Sequence, residues 1–297
     1  MNEYSGIIIL NKPCGLSSHR CVGIVRKALN MKKVGHTGTL DPEASGVLPI
    51  LAGPATRASD FLTMEDKKYR AEILLGTKTD TLDMAGEVLE KNEVNVTKED
   101  IRKAIKSFVG NISQVPPMYS AIQVNGQRLY HLARQGIEVE RKARDITIFS
   151  IEIENIDIPY VTVNVHCSKG TYIRTLAADI GDKLGCGGCI SKLERTASGP
   201  FLIENAITPE ALLALSEKGE EEKALLPLDL FFENYDKIHL DKKRADRVKN
   251  GVPIYYKGKE QGKTYRIYDE NGAFIALSQA DISDGRECLK LIKGFYK

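Results

Sequence analysis

No apolar run of about eighteen residues occurs in this 297-residue chain, which excludes a membrane-spanning helix. The N-terminus also lacks the basic and apolar parts of a secretory signal, so the expected location is the cytoplasm, without membrane association. Cysteine is scarce, with six scattered residues that make no disulfide framework. Cys186-Gly187-Gly188-Cys189 has the C-x-x-C spacing, but no second pair or nearby His completes a zinc site. Repeats and low-complexity segments are missing, which argues against a solenoid. Gly35-x-x-Gly38 is followed by neither the Gly-Lys-Ser/Thr of a P-loop nor the rest of a dinucleotide fingerprint, so nucleotide binding is a poor reading.

What is present is a globular composition, 42% apolar and 28% charged, long enough for two domains. The net charge of +2 conceals an asymmetry. Residues 1–234 hold 28 basic and 31 acidic side chains, whereas residues 235–297 hold 14 and 9. A basic C-terminal module suggests contact with nucleic acid, against the blander reading of a solvated surface. The N-terminal stretch is basic too. Between Tyr4 and Ser59 the only acids are Asp41 and Glu43, set against Lys12, Arg20, Arg26, Lys27, Lys32, Lys33 and Arg57. A carboxylate there would meet a polyanion drawn in by the surrounding charge. Pro42 biases Asp41 toward extended backbone, and Gly35, Gly38 and Gly46 permit turns and close approach of a ligand.

The hydrophobic pattern mixes strands and helices without a steady βαβ rhythm. It predicts an α+β fold with a mixed, largely antiparallel sheet and flanking helices. Ile7 to Leu10 reads as a buried strand, and Ser17 or Ser18 starts a helix with Val22, Val25 and Leu29 on one face. Tyr69 to Thr77 alternates as a strand, with Glu87 to Leu89 as its expected hairpin partner. Thr97 and Asp100 begin a further helix. Gln114 to Asp145, with Pro116-Pro117 and a short helix at Leu129 to Arg134, reads as an excursion from the sheet. Ile146 to Ile158 and Tyr160 to Cys167 form an expected antiparallel pair, and a helix opens near Arg174.

Four separated segments then form one set: Asn11-Lys12-Pro13 with Gly15 and Ser17; the Gly35 to Leu48 loop; Lys68-Tyr69-Arg70; and Ser168-Lys169-Gly170-Thr171-Tyr172-Ile173-Arg174. With Pro116-Pro117-Met118-Tyr119-Ser120-Ala121 and Gly126-Gln127-Arg128-Leu129-Tyr130 they resemble, in the same order, the bacterial tRNA pseudouridine synthase B family. The resemblance implies isomerisation of the uridine at position 55 in the tRNA T-arm loop, without metal or organic cofactor. It implies Asp41 as nucleophile toward either C1′ of the ribose or C6 of the ring, Arg174 as its cationic partner, and Tyr69 stacked on the flipped base. His36 would take up contacts vacated by the uridine, and Lys12, Tyr172 and Leu193 would bind substrate. The insertion at about 114–145 would clamp the T-arm through phosphate contacts of Arg128, Arg141 and Lys142, with Arg134 and Arg144 beside them. Residues 1–234 would be the catalytic domain and 235–297 a small β-rich, PUA-like RNA-binding domain. The implied partner is tRNA, acted on by a monomer without an obligatory protein partner. Two other readings stay open: a tRNA-binding and refolding factor whose catalysis is secondary, and a guide-RNA-dependent pseudouridine synthase.

Overall fold

The computed structural model describes residues 2–124, 126–283 and 285–296. The chain opens with strand β1 (Gly6–Lys12), helix α1 (Ser18–Ala28) and strands β2 (Val34–His36) and β3 (Ser45–Ala52). Ser17 starts α1 by accepting from the Arg20 amide, as its position before the apolar face of that helix predicts. β1 and β3 pair antiparallel, with Ile8 opposite Ile50 and Leu10 opposite Leu48. Both strands are apolar on both faces because both faces are covered. Ile8, Leu10, Leu48 and Ile50 pack with Val22 and Val25 of α1. Ile7, Ile9, Val47 and Leu51 pack instead with Phe232, Leu277 and Phe295.

After the short helix α2 (Ser59–Thr63), strand β4 (Lys67–Leu75) takes the centre of the sheet. Then follow β5 (Thr77–Thr79), β6 (Val88–Lys91), α3 (Lys98–Lys106), β7 (Gly110–Gln114), β8 (Gln123–Val124), β9 (Gln127–Arg128), α4 (Leu129–Arg134), β10 (Arg144–Asp157), β11 (Tyr160–Cys167), α5 (Ile173–Lys183), β12 (Gly188–Ser198) and β13 (Phe201–Leu202). The main sheet runs β1-β3-β12-β4-β11-β10-β7, with β2 paired to β3 and β13 to β12. All these pairs are antiparallel except the short parallel seam of β3 and β12, where Ser45 faces Glu194 and Gly46 faces Arg195. Ala71, Ile73 and Leu75 of β4 meet Ile101 and Ile105 of α3 and Leu176 and Ile180 of α5 in one core. Tyr69 projects from the same face of β4 as this core, so the site lies at the end of the face that the helices cover.

The expected hairpin across residues 80–86 forms, but Val88–Lys91 pairs with Thr77–Thr79 and not with the Tyr69 strand. Both edges of β4 are taken by β11 and β12, and the chain turns at Gly76 so that β5 pairs with β6 instead. The excursion leaves and rejoins the sheet at one level, since Gln114 and Arg144 face each other across β7 and β10. Its helix α4 covers the residues expected from sequence, anchored by buried Leu129 and Leu132.

Helix α6 (Pro209–Glu217) packs near α1, and the chain then passes to a second sheet made of β14 (Asp236–His239), β15 (Ile254–Tyr255), β16 (Thr264–Tyr268), β17 (Phe274–Ser283) and β18 (Arg286–Gly294), with α7 (Lys242–Lys249) beside it. Its order is β14-β16-β17-β18-β15. The molecule is therefore α+β, with a largely antiparallel main sheet and a β-rich C-terminal domain. No helix among the described residues is long and apolar enough to cross a membrane.

Candidate active site

Asp41 lies on the turn between β2 and β3, and the backbone around it is tied down on every side. The Ser18 hydroxyl donates to the Leu40 carbonyl at 2.9 Å and accepts from the Leu40 amide at 2.9 Å. The Pro42 carbonyl accepts from the Gly15 amide at 2.8 Å and from the Lys12 ammonium at 3.0 Å. The same ammonium donates to the carbonyls of Pro13 at 2.8 Å and Leu16 at 2.6 Å. Lys12 is fully buried, and burial lowers its pKa. This corrects its assignment as a substrate-binding residue: all three donors are spent on carbonyls, and its function is to brace the loop that carries Asp41.

Arg174 meets the carboxylate from the first turn of α5. The start of that helix is fixed by Gln114, whose side chain accepts from the Tyr172 amide at 2.8 Å and donates to the Tyr172 carbonyl at 3.1 Å. The guanidinium is buried, and each of its three nitrogens has a partner. Nε reaches Asp41 Oδ2 at 2.9 Å, Nη1 donates to the Thr81 carbonyl at 2.7 Å and Nη2 to the Tyr119 carbonyl at 2.7 Å. Nη1 also lies 3.5 Å from Asp83 Oδ2. Burial raises the Asp41 pKa, and the adjacent Asp83 adds to that; the Arg174 charge and hydrogen bond oppose it. Although enclosed by protein, the Asp41 side chain keeps 39% of its surface exposed, enough to meet a ligand from the cleft.

Asp83 was not anticipated by the sequence, where residues 80–86 read only as a turn. Its Oδ1 accepts from the Thr81 hydroxyl at 2.6 Å and the Ala85 amide at 3.1 Å, which leaves Oδ2 for Arg174. No spacing motif signals it, because the contact with α5 is made only when β12 brings Ile190 beside Asp83.

Two cavities meet at this pair. One, ≈ 540 Å³, is lined by Asp41, Tyr69, Tyr172, Leu193 and Arg174 among others; the second, ≈ 670 Å³, shares Asp41, Ala44, Leu193 and Arg174 and adds Glu72, Asp83 and Lys192. Burial raises the Tyr69 and Tyr172 hydroxyl pKa values, and at Tyr69 the nearby Arg195 charge opposes the shift. Five expected residues thus converge on one chamber. The others stand elsewhere. His36 is half-buried on β2, where burial lowers its pKa and favours the neutral ring. Arg128 and Lys142 are exposed on the excursion, whereas Arg141 is half-buried and donates to the Pro116 carbonyl at 3.2 Å and to Glu138 at 3.0 Å. Among the described residues, no group of three or more His, Cys, Asp or Glu could hold a metal ion.

Gly46 shows how tightly the loop is set against β12. Its φ is +104°, and a Cβ there would collide with the backbone of Arg195. Gly46→Ala is therefore expected to destabilise the fold by about 2 kcal/mol or more, read as a lower urea midpoint with an unchanged slope.

The fold is that of the pseudouridine synthases, and comparison with known proteins makes the match specific. Residues 26–173 match the TruB family pseudouridylate synthase N-terminal domain, and residues 174–233 match the tRNA pseudouridylate synthase B C-terminal domain. The chain belongs to the TruB family. It is 52% identical to the tRNA pseudouridine synthase B of Alkaliphilus oremlandii over 84% of this chain and 83% of that protein. Identity to the protein of the same name from Clostridium perfringens is 47%, over 93% of this chain and 95% of that one. Among solved structures, an H/ACA RNP bound to a substrate RNA containing 2′-deoxyuridine gives a TM-score of 0.72 at 27% identity, covering 98% of this chain and 85% of that one. A Cbf5-Nop10-Gar1 complex gives 0.71 at 29% identity, covering 98% and 85%.

Proposed function

We propose that this protein converts uridine 55 in the T-arm loop of tRNA to pseudouridine, with Asp41 as nucleophile. The observation that carries the reading is the Asp41–Arg174 pair at 2.9 Å, set on the wall of a nucleotide-sized chamber with Tyr69, Tyr172 and Leu193. A base held in a folded T-arm must leave its stack to enter such a chamber, at a cost of a few kcal/mol, and an aromatic face offsets about 1–3 kcal/mol of it. Tyr69 supplies that face.

In the reaction the bond between N1 and C1′ breaks, the bond between C5 and C1′ forms, C5 loses its proton and N1 gains one. Addition of the Asp41 carboxylate to C1′ or to C6 serves the same exchange, and in both cases the carboxylate is released when the product forms. Arg174 favours the ionised nucleophile with a charge that burial does not readily remove. The excursion at 114–145 is assigned to the T-arm, with the exposed Arg128 and Lys142 facing phosphates. The division into residues 1–234 and 235–297, with a PUA-like RNA-binding role for the second part, belongs to the same proposal.

The test is tritium release from a T-arm stem-loop carrying 5-tritiated uridine, with the purified protein and no guide RNA or second protein. Release of one tritium per stem-loop, with pseudouridine at position 55, is expected. No release from that substrate, with release restored by a guide RNA, would replace the proposal with a guide-dependent enzyme.

A further inference from the structure

Arg195 is the bulkiest fully buried side chain among the described residues, 1% exposed, and it is a cation. Isolated burial of such a charge is costly, so its partners indicate its purpose. They are not carboxylates. Nε donates to the Val47 carbonyl at 2.7 Å and Nη2 to the Gly38 carbonyl at 3.1 Å. Gly38 and Val47 are the two shoulders of the turn that carries Asp41. Its charge also acts on the Tyr69 hydroxyl, which projects from the neighbouring strand.

Strand register explains how one side chain acts on all three. On β12, Arg195 stands opposite Tyr69 of β4 on one side and opposite Gly46 of β3 on the other. It therefore occupies the parallel seam of the main sheet, on the strand between the one that follows the nucleophile and the one that bears the tyrosine. Gly46 makes the approach possible by lacking a Cβ. A lysine there would keep the charge but not the fork that spans two carbonyls.

We infer that Arg195 is a positioning residue for the isomerisation, gripping both shoulders of the Asp41 turn with one guanidinium from the backbone position paired with Tyr69, and so fixing nucleophile and tyrosine relative to each other. The inference rests on the pseudouridine synthase reading for its consequence, not for its geometry. Its charge has a second effect. Burial drives the Tyr69 hydroxyl upward in pKa, and Arg195 is the main influence holding it down.

Two measurements test this. The first compares wild type, Arg195→Lys, Tyr69→Phe and the double variant in single-turnover pseudouridine formation on the T-arm stem-loop. Arg195→Lys, with near-native melting and unchanged stem-loop affinity, is expected to lose about 100-fold in rate. The double variant should lose less than the product of the two single losses. A wild-type rate for folded Arg195→Lys, or losses that multiply, would overturn the inference. The second measurement needs no RNA, so it stands even if the stem-loop is not a substrate. The protein is labelled with 3-fluorotyrosine, and the Tyr69 resonance is the one missing from Tyr69→Phe. In Arg195→Gln its titration midpoint should move to higher pH; an unmoved midpoint in the folded variant would refute that influence.

Discussion

Asp41→Asn is expected to reduce pseudouridine formation by at least about 10⁴-fold while leaving stem-loop affinity within a small factor of wild type. The amide has nearly the shape of the carboxylate, and the loop around it is held by backbone groups and by Ser18 and Lys12, none of which contact the Asp41 carboxylate. What the variant loses is the nucleophilic oxygen. Its stability should report the cost of that oxygen. Because burial raises the Asp41 pKa in the folded state, there is a pH window in which the unfolded chain has released this proton and the folded chain has not. Within that window stability falls as pH rises, and above the folded pKa the full cost remains. Asp41→Asn removes this dependence, so its melting temperature at pH 8 should be no lower than wild type. The wild-type rate should rise with pH through a limb lying above the ordinary carboxylate range. Growth of a null strain rescued by Asp41→Asn would shift the cellular importance of the protein toward tRNA binding and refolding.

Most of the chamber was legible in the sequence because its residues sit in segments whose order and wording recur in the family. Asp41 on a Gly-bounded turn, Tyr69 in an alternating strand and Arg174 at a helix start are all readable from those segments. The local elements were also readable where one segment decides the outcome: Ser17 caps α1, and Thr97 with Asp100 forms a capping box at α3. What escaped depends on contacts far apart in the chain. Asp83 meets Arg174 across 91 residues, and Arg195 meets Gly38 across 157. Lys12 read as part of a basic surface, whereas its ammonium turns inward onto three carbonyls, one of which belongs to Pro42 thirty residues away. The hairpin partner of residues 88–91 was misplaced for the same reason, being Thr77–Thr79 and not the Tyr69 strand. Alternation marks β4 as a strand, but only the whole sheet shows that both its edges are taken.

Arg174 should be the most costly side chain to remove from this site, for both folding and rate. Arg174→Met keeps much of the volume but leaves Asp83, buried on the same guanidinium, without its cation, and strips donors from the carbonyls of Thr81 and Tyr119. Breaking a buried pair by deleting one partner costs about 3–5 kcal/mol, so a large drop in the urea midpoint is expected. Asp83→Asn in the same chain should recover part of that loss, because it removes the orphaned charge. Arg174→Lys separates the two roles. A lysine ammonium can balance one carboxylate but cannot reach Asp41, Asp83 and two carbonyls in a fixed fork. It should fold more stably than Arg174→Met yet turn over the stem-loop about 100-fold more slowly than wild type, with its acid limb displaced upward because one ammonium shared between Asp41 and Asp83 compensates Asp41 less than the guanidinium does. Wild-type turnover in Arg174→Lys would mean that charge alone is sufficient. Slow turnover with intact binding would show that Arg174 acts by orienting the nucleophile as well as by keeping it ionised.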